Sequence, residues 1–322
     1  MAVILATSRS FGDGGSDLVG RIADAGHELL RGPSHHDLAE LADVLPRVDA
    51  WIAGTGPVTP AHLDAAPHLR VIARYGVGVE AVDVDAATSR GIAVTNTPGA
   101  NADAVADHAV GLMLAALRGT VDGDRRVRDG DWAARRGRQL GDAVVGIVGF
   151  GRIGRGVAAR LGGFGSRVLA ADPYLPSDAI RAAGAEAAGL DDLFAEADVI
   201  SLHAPGGRQV VDPVRLGTLP AGAVIVNTAR ADLVDEAAVA DALRDGALRA
   251  YAADMLAGDT AGGASPLLAP DLADRVTITP HLGAQTAEAV DNMGSMSLEC
   301  ALAVLAGDPP PYPVNTLGKR ER

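Results

Sequence analysis

Cysteine, lysine and aromatic residues are scarce in this 322-residue sequence. Cys300 is the only cysteine, so an internal disulfide is excluded and a zinc site built on thiolates is disfavoured. It lies among apolar residues of a predicted helix, which indicates a buried thiol. Lys319 is the only lysine, so arginine carries almost all of the positive charge. Aromatic residues make up 3% of the chain, and its cores must therefore be built from Ala, Val, Leu and Ile.

The sequence also lacks a basic excess and long apolar runs. Its net charge of −13 argues against a general surface for nucleic acid or anionic lipid. No apolar stretch approaches the roughly 18 residues that span a bilayer. The short run Val3–Leu5 has no basic residue before it, unlike a signal peptide. We therefore expect a cytoplasmic protein that binds small molecules rather than nucleic acids or membranes.

The segment VVGIVGFGRIG at residues 144–154 carries the clearest functional pattern. An apolar run that predicts a buried strand leads into Gly149-x-Gly151-x-x-Gly154, and a helical pattern follows, as in dinucleotide-binding proteins. Gly149 permits a tight turn, Gly151 lets a pyrophosphate approach the backbone, and Gly154 lets the helix pack close to the strand. The phosphates would meet unpaired N–H groups at the helix N-terminus. The alternative is a glycine-rich turn that binds no ligand.

Asp172 ends the next predicted strand and indicates which nicotinamide cofactor is bound. A carboxylate at this point accepts hydrogen bonds from the adenosine ribose hydroxyls and repels a 2′-phosphate. The next residues, Pro173 and Tyr174, offer no arginine to pair with such a phosphate. The sequence therefore predicts NAD rather than NADP.

Predicted strands and helices alternate along the chain, which is typical of parallel sheets with helices on both faces. Strands are expected before residue 100 near 2–6, 48–53, 70–74 and 91–95. Six more follow near 144–148, 167–171, 198–203, 222–227, 249–253 and 276–279, the number in a complete dinucleotide-binding sheet. Long helices are predicted at 101–117, capped by Asn101, and at 285–305, whereas 118–142 is expected to be an exposed connector. The fold class is therefore α/β, with two doubly wound parallel-sheet domains.

Polar residues follow three predicted strands of the second segment, at the edge where open α/β sheets bind ligands. Arg230, Asp254 and His281 each come just after one of these strands, and Asp259 follows five residues after Asp254. Oxidation of an alcohol needs a base for the hydroxyl proton, and reduction of a carbonyl needs the same group as an acid. A histidine serves in both directions, a carboxylate stabilises its charged form, and an arginine binds a carboxylate or carbonyl oxygen. Arg230, Asp259 and His281 provide this catalytic set, although a surface arginine and a structural histidine are the alternatives.

Five ordered motifs resemble the D-isomer-specific 2-hydroxyacid dehydrogenase family, which includes D-3-phosphoglycerate, glycerate and formate dehydrogenases. They span nearly the whole chain and read RYGVGVEAVD (74–83), VTNTPGANADAVADHAVGLML (94–114), GIVGFGRIG (146–154), VNTARADLVDE (226–236) and ITPHLGAQT (278–286). The resemblance implies that Arg230 binds the substrate, that His281 is the acid and base, and that loop N–H groups near Val77 and Gly78 hold the substrate carboxylate.

The resemblance also implies a cofactor site. Asp254 matches an acidic residue on the nicotinamide side of the cofactor, and Arg152 and Ile153 match the turn that faces the phosphates. His203 ends a strand near this site, although a structural hydrogen-bonded role is an equal alternative. The candidate cofactor-binding residues are Gly149, Gly151, Arg152, Ile153, Gly154, Asp172, His203, Ala204, Thr228, Ala229, Asp254, His281 and Gly283.

The same family implies a domain arrangement. A Rossmann NAD-binding domain, residues 101–285, would be inserted in a flavodoxin-like substrate domain formed by residues 1–100 and 286–322. The active site would lie in the cleft between them, and the cofactor domains would form a homodimer to which the 118–142 segment contributes. One departure concerns Asp259, which stands where the family usually has a glutamate in a Glu-Pro step and is shorter by one methylene.

Two further polar clusters favour structural interpretations. His35 and His36 lack a cysteine or a spaced third ligand nearby, so no metal site is expected and a solvated helix cap is favoured. A basic cluster could reach a substrate phosphate, but a solvated face paired with the neighbouring acids is favoured. It comprises Arg125, Arg126, Arg128, Arg135, Arg136 and Arg138.

The leading hypothesis is an NAD-dependent oxidoreductase that acts on a small D-2-hydroxy acid or its 2-oxo partner. D-3-phosphoglycerate is the first candidate substrate, because Arg74 and the segment Thr7–Ser10 could neutralise a phosphate. Reduction of hydroxypyruvate or glyoxylate is the second. A third hypothesis belongs to another class: a non-catalytic, corepressor-like NAD(H) sensor, since this fold does not by itself prove turnover.

Overall fold

A computed structural model of the protein describes residues 1–258 and 264–317. The chain forms two compact units: a terminal unit, made of Met1–Asn101 and Gln285–Arg322, and a central unit, Ala102–Ala284. Each unit has its own parallel sheet. In the described part of the chain no single helix is long and apolar enough to cross a membrane, although one bent helix pair, Ala102–Arg118 with Thr120–Arg128, meets these criteria jointly.

The terminal unit contains a five-stranded parallel sheet in the order β2-β1-β3-β4-β5, which is the flavodoxin-like order. Its strands are β1 (Val3–Ala6), β2 (Glu28–Arg31), β3 (Ala50–Ala53), β4 (Val71–Arg74) and β5 (Ala93–Thr95). The connecting helices are α1 (Leu18–Asp24), α2 (Leu38–Leu41), α3 (Pro60–Ala65) and α4 (Val84–Ser89). β2 is not among the strands expected from the sequence. Within the described residues this edge strand pairs with β1 alone, and it offers just two leucines as an apolar signal.

The central unit begins with two helices, α5 (Ala102–Arg118) and α6 (Thr120–Arg128). Asn101 does not cap α5, because its Oδ1 is buried and has no hydrogen-bond partner among the described residues. Likewise, the expected connector begins with α6, whose helical turn is supported by ion pairs such as Arg128–Asp124 at 2.8 Å. Ala106 and Ala109 are small and buried, so α5 can pack closely against the sheet of this unit and against the helix Arg152–Gly162.

A seven-stranded parallel sheet forms the centre of this unit, in the order β12-β11-β10-β9-β6-β7-β8. Its strands are β6 (Val144–Val148), β7 (Arg167–Ala171), β8 (Glu186–Ala187), β9 (Val199–Leu202), β10 (Ala223–Asn227), β11 (Leu248–Ala253) and β12 (Val276–Ile278). Six strands are predicted correctly in position. The edge strand β8 is missed, because two residues carry no periodic signal. The order extends the dinucleotide-binding arrangement 3-2-1-4-5-6 by one strand.

The remaining helices of the central unit cover both faces of this sheet. They are α7 (Arg152–Gly162), α8 (Ser177–Ala182), α9 (Leu190–Glu196), α10 (Pro213–Leu216) and α11 (Glu236–Arg244). Alternate residues of the strands belong to two separate apolar clusters: Ile225 packs in one, and Val224 and Val226 pack in the other. The prediction of two parallel α/β domains is therefore confirmed.

The last helix, α12 (Ala287–Ala306), belongs to the terminal unit and packs against β3, β4 and β5. Its Asp291 carboxylate accepts backbone N–H groups from Gly15 and Ser16 at 2.9 and 3.0 Å. Tyr75 Oη donates to Val290 O at 2.9 Å. These contacts join the two chain segments of the unit. Cys300 is buried in this helix, as predicted.

Candidate cofactor and substrate sites

The glycine-rich turn between β6 and α7 has the geometry that its three glycines suggest. Gly149 has φ +88°, and a Cβ added to it would lie 2.6 Å from Ala204 N. A Cβ on Gly154 would lie 2.3 Å from Gly149 O, so the helix can approach the strand only without a side chain there. A Cβ on Gly151 would meet no described atom within 4 Å. Gly149 and Gly154 are therefore required by packing, whereas Gly151 leaves an open surface.

This open surface adjoins the first turn of α7, which begins at Arg152 and Ile153. The first N–H groups of a helix have no partner within the helix, and they bind anions well. The turn thus presents backbone donors beside a surface that a side chain would obstruct, which is what a pyrophosphate requires.

Asp172, directly after β7, is linked to the glycine-rich turn. Its Oδ2 accepts a hydrogen bond from Phe150 N at 2.8 Å, and its Oδ1 accepts one from Tyr174 N at 2.9 Å. A carboxylate oxygen has two lone pairs, so each oxygen can accept a further hydrogen bond. The partly exposed carboxylate is therefore fixed in orientation and still able to accept hydroxyl groups.

His203 and Ala204 follow β9 and lie against Gly149, since the added Cβ of that glycine would touch both. The His203 side chain contacts Ser201 Oγ through Nε2 at 2.8 Å. Burial lowers the pKa of His203 to about 4, so the ring is neutral at pH 7. Its Nδ1 and the hydroxyl of Thr228 are buried without a hydrogen-bond partner among the described residues. These unpaired groups, one next to the turn and the other after the strand that pairs with β9, fit a site that a polar dinucleotide completes.

Three adjacent strands bring the other predicted residues to one edge of the sheet. Asn227 at the end of β10 is paired with Ala253 of β11, which is paired with Ile278 of β12. Arg230 lies three residues after the end of β10, and His281 lies three residues after the end of β12. Asp254 directly follows β11, the strand between them. The structure therefore groups Arg230, Asp254 and His281. Asp259 lies outside the described residues.

The segment that carries Arg230 is held by the buried amide of Asn227. Asn227 Nδ2 donates to Arg230 O at 2.8 Å, and its Oδ1 accepts Ala229 N at 3.0 Å. Arg230 Nη1 donates to Ala229 O at 2.8 Å. Asn227 lies within one of the family-like motifs, but no role is predicted for it from the sequence. The signal that could identify it is a side-chain amide at the last position of a strand that is buried throughout.

Asp254 is buried, with 1% of its surface exposed, and its carboxylate organises the turn that carries His281. Its Oδ1 accepts Leu282 N at 2.8 Å, and its Oδ2 accepts Gly283 N at 2.7 Å. Burial alone raises the pKa of Asp254, but these bonds and those from His108 and Thr279 outweigh it, and the pKa falls below its usual value. Asp254 is therefore an ionised acceptor at neutral pH.

His281 occupies an unusual backbone conformation on this turn, with φ +56° in a residue other than glycine. Its N–H contacts Asp254 O at 2.9 Å, so both the backbone and the side chain of Asp254 hold the turn. The imidazole itself is exposed. This arrangement leaves an accessible imidazole on a backbone that hydrogen bonds hold in place.

In the terminal unit, the loop after β4 has its carbonyl groups held on one side. Thr97 N donates to Gly76 O at 3.0 Å, and Asn96 Nδ2 donates to Val77 O at 2.8 Å. Arg74, 7% exposed, donates through Nε to Gly78 O at 2.9 Å. In a trans peptide the N–H points away from the C=O. The N–H groups of residues 77–79 therefore point away from these anchors, and they donate no hydrogen bond within the described residues.

The two histidines predicted to be a solvated cap differ from each other. His35 is exposed and contacts Glu40 at 3.2 Å. His36 is 1% exposed, so the solvated interpretation is wrong for it. Its Nδ1 lies 3.2 Å from Pro57 O, and its Nε2 lies 2.6 Å from Thr7 Oγ1. The His36 ring also packs against the buried ring of Trp51, which lies 15 residues later in the sequence. Local sequence patterns therefore do not reveal that His36 has an apolar environment.

Among the described residues no group of three or more His, Cys, Asp or Glu side chains could hold a metal.

Four arginines of the basic cluster pair with acids of the same segment, as predicted: Arg125, Arg126, Arg128 and Arg135. Arg138 pairs instead with Asp198, directly before β9, at 2.8 Å. Arg126 contacts Asp131 at 2.5 Å, and Arg125 and Arg135 contact Asp122 at 2.7 and 3.1 Å. These arginines therefore have carboxylate partners within the same segment.

Comparison with known proteins identifies relatives that match most of the chain. Residues 110–283 match the family model described as D-isomer specific 2-hydroxyacid dehydrogenase, NAD binding domain. The chain is 41% identical to the D-3-phosphoglycerate dehydrogenase of Mycobacterium leprae over 288 residues, which cover 88% of this chain and 54% of that protein. It thus spans about half the length of the curated D-3-phosphoglycerate dehydrogenases that it matches.

Two further relatives match over most of both chains. The hydroxypyruvate reductase of Thermotoga maritima is 36% identical over 274 residues, which cover 83% of this chain and 88% of the relative. The crystal structure of the TT0316 protein from Thermus thermophilus superimposes with a TM-score of 0.85 at 34% identity, covering 97% of this chain and all of the other. The similarity therefore extends through both units.

Proposed function

This chain belongs to the D-isomer specific 2-hydroxyacid dehydrogenase family, and on that premise we propose that it is an NAD-dependent oxidoreductase. It transfers a hydride between nicotinamide and C2 of a small D-2-hydroxy acid or the corresponding 2-oxo acid. The observation that carries this proposal is the shared sheet edge of Arg230, Asp254 and His281, in the same sheet whose strand β6 leads into a turn suited to a pyrophosphate.

Each residue has a proposed role in reduction of the 2-oxo acid. Bound NADH supplies the hydride that reaches C2. The Arg230 guanidinium binds the substrate carboxylate and polarises the C2 carbonyl. The His281 imidazole gives a proton to the carbonyl oxygen as it becomes a hydroxyl, and it takes the proton back in oxidation. Asp259 is proposed to stabilise the imidazolium form of His281.

The N–H groups of Val77 and Gly78 are proposed to bind the substrate carboxylate. Their support is the loop geometry, in which three successive carbonyl groups are already occupied by Thr97, Asn96 and Arg74. Backbone N–H groups that converge on an open surface form an anion site without a cationic side chain. This assigns residues 1–100 and 286–322 to a substrate domain and residues 101–285 to an NAD-binding domain.

NAD is bound through the residues that surround the glycine-rich turn. We propose that Asp172 accepts the adenosine ribose hydroxyls and that the N–H groups at the start of α7 hold the pyrophosphate. Asp254 and Gly283 lie on the nicotinamide side, and Thr228 and Ala229 complete the site at the end of β10. The unpaired buried atoms of His203 and Thr228 support this assignment.

Two kinds of substrate are proposed. D-3-phosphoglycerate is the first candidate, supported by relatives of that name. Arg74 favours the second candidate, hydroxypyruvate or glyoxylate, because its buried guanidinium already donates to the carbonyl oxygens of Ala53 and Gly78. A guanidinium used in this way is less able to bind a phosphate.

The test is a panel of 2-oxo acids with NADH, followed by the loss of absorbance at 340 nm. It includes phosphohydroxypyruvate, hydroxypyruvate, glyoxylate and pyruvate, each with NADPH as a comparison. Turnover of at least one acid, faster with NADH, supports the proposal. If no acid is turned over while NADH binds, the chain is better described as a corepressor-like NAD(H) sensor.

We also propose a homodimer formed through the central unit. The segment after α5 exposes Val121, Val127 and Trp132, which are 52%, 39% and 79% exposed. Val127 and Trp132 line a cavity of about 430 Å³, together with Arg126 and Arg136. Exposed apolar side chains gathered at one place favour an interface. Sedimentation equilibrium of the protein, and of a Trp132→Ser variant, tests this; a monomeric parent protein would contradict it.

A cytoplasmic location is proposed as well. The single cysteine is a buried thiol, which is typical of proteins that work in a reducing compartment. Fractionation of cells that produce the protein tests this location.

A further inference from the structure

The position of the His281 imidazole depends on a short turn rather than on packing of the ring. The ring is exposed, and its backbone has φ +56°. Two N–H groups of the turn, those of Leu282 and Gly283, donate to the carboxylate of Asp254. Whatever orients this carboxylate therefore orients the turn.

Hydrogen-bond directions at Asp254 lead to a residue on another element. Because Asp254 is an ionised acceptor, the hydroxyl of Thr279 must donate its proton to Asp254 Oδ1, at 2.5 Å. Thr279 Oγ1 can then only accept from His108 Nε2, at 2.9 Å. The same Nε2 lies 3.2 Å from Asp254 Oδ1. His108 Nε2 therefore carries a hydrogen that points at both oxygens.

The helix α5 carries His108 and contacts this turn closely. A Cβ added to Gly283 would lie 3.5 Å from Val105 Cγ2 and 3.8 Å from His108 Cδ2. The His108 side chain is 21% exposed, so its donor works in a mostly dry environment, where a hydrogen bond to a carboxylate is strong. The remaining bonds to Asp254 are local to the turn and the strand end. His108 is thus the donor that ties them to a long helix.

We propose that His108 is a positioning residue for the reaction: with Thr279 it orients the Asp254 carboxylate and, through it, the turn that carries His281. This inference rests on the proposed role of His281 in proton transfer. His108 is not assigned any contact with substrate or cofactor. A carboxylate that loses this donor can rotate, and small errors in the position of a reacting group reduce the rate strongly.

The experiment compares His108→Leu, which removes the donor, with His108→Gln, whose amide can donate from a similar position. At saturating NADH, the leucine variant should lower kcat on the order of tenfold, while KM for the 2-oxo acid changes less than about threefold. The primary isotope effect with 4-deuterated NADH should increase, because the chemical step becomes slower. The glutamine variant should recover most of the rate and the smaller isotope effect.

Asp107→Asn is the matched control on the same helix. Asp107 pairs with Arg160 of α7, away from the turn, so its loss should lower the melting temperature without changing kcat or the isotope effect. The inference is overturned if His108→Leu has the parent kcat and isotope effect, or if glutamine is as impaired as leucine.

A second measurement separates this inference from the proposed function. Hydrogen exchange of the Leu282 and Gly283 amides, in the protein without cofactor or substrate, reports directly on the bonds to Asp254. We expect about tenfold faster exchange in His108→Leu and near-parent exchange in His108→Gln. If the exchange rates are unchanged in the leucine variant, the positioning role is rejected, even if the protein turns over no acid. If the parent protein turns over none of the acids, the proposed function is rejected instead.

Discussion

Asp172 Oδ2 accepts the backbone N–H of Phe150 at 2.8 Å, so the carboxylate predicted to read the ribose is bonded to the turn predicted to hold the phosphates. The two parts of the cofactor site are therefore not independent. A change at Asp172 should affect the glycine-rich turn as well as the choice between NADH and NADPH.

We predict that Asp172→Ala lowers kcat/KM for NADH by about tenfold, or ~1.4 kcal/mol, because hydrogen bonds to the ribose are lost. The NADPH to NADH ratio of kcat/KM should rise, since the charge that repels a 2′-phosphate is gone. The absolute rate with NADPH should rise little, because Phe150 also loses its acceptor. Asp178→Ala, on the exposed start of α8, is the control and should leave both cofactors unaffected. A parent protein that already prefers NADPH would contradict this assignment.

Two glycines of the same turn should give opposite results when replaced by alanine. Gly151→Ala places its methyl group in open space, so the fold should be unaffected while Kd for NADH rises at least about tenfold through obstruction of the pyrophosphate. Gly154→Ala places a methyl group 2.3 Å from Gly149 O, which should destabilise the protein by roughly 1–3 kcal/mol. Calorimetry and NADH fluorescence titration measure the two effects. If both variants bind NADH more weakly and both lower the melting temperature by the same amount, the two glycines do not have the separate roles proposed here.

His281→Asn is the sharpest test of the proton-transfer role, because asparagine tolerates a positive φ and leaves the backbone turn unstrained. We expect kcat to fall by a factor of roughly 100 to 10,000, which is the usual contribution of an acid or base. NADH affinity should change little. Steady-state kinetics and fluorescence titration check both expectations; a variant that retains a tenth or more of the parent rate would exclude His281 as the proton carrier.

The parts of the fold that sequence patterns predicted are those with a strong local signal. β6 is an apolar run followed by three spaced glycines, and both its end and its turn are where the sequence indicates. β2 and β8 were missed because edge strands are short and bury little, so their apolar pattern is weak. Their existence depends on pairing with a neighbouring strand, which local sequence does not record.

The candidate site shows the same division. Arg230, Asp254 and His281 follow strand ends, and parallel strands bring their ends to one edge, so topology alone groups them. No role is predicted from the sequence for three other residues of the site, because each acts through side-chain hydrogen bonds that local patterns do not show: His108, Thr279 and Asn227. His108 meets Thr279 across 171 residues of sequence, and no spacing rule connects such positions. Asp259, the remaining catalytic candidate, lies outside the described residues.

His36 provides the last prediction, because its pKa is lowered to about 4, chiefly by burial, from 6.5 in an exposed histidine. Pro57 O can only accept, so Nδ1 must donate to it and Nε2 must accept from the Thr7 hydroxyl. The folded protein therefore holds His36 neutral, whereas the unfolded chain takes up a proton below pH 6.5. Stability from this group is complete above pH 6.5 and is lost as the pH falls towards 4.

Urea unfolding at pH 7.5 and pH 5.0 measures this loss. For the parent protein, His36 should contribute a decrease of about 2 kcal/mol in the free energy of unfolding between these two values. The His36→Asn variant should be less stable at pH 7.5, since its hydrogen bonds are lost, but its decrease towards pH 5.0 should be smaller by that amount. His35→Asn is the matched control for replacing a neighbouring histidine, because the His35 side chain is 60% exposed and makes neither of the hydrogen bonds of His36. If His36→Asn and the parent protein lose the same free energy on acidification, the buried neutral ring is not what makes the terminal unit sensitive to acid.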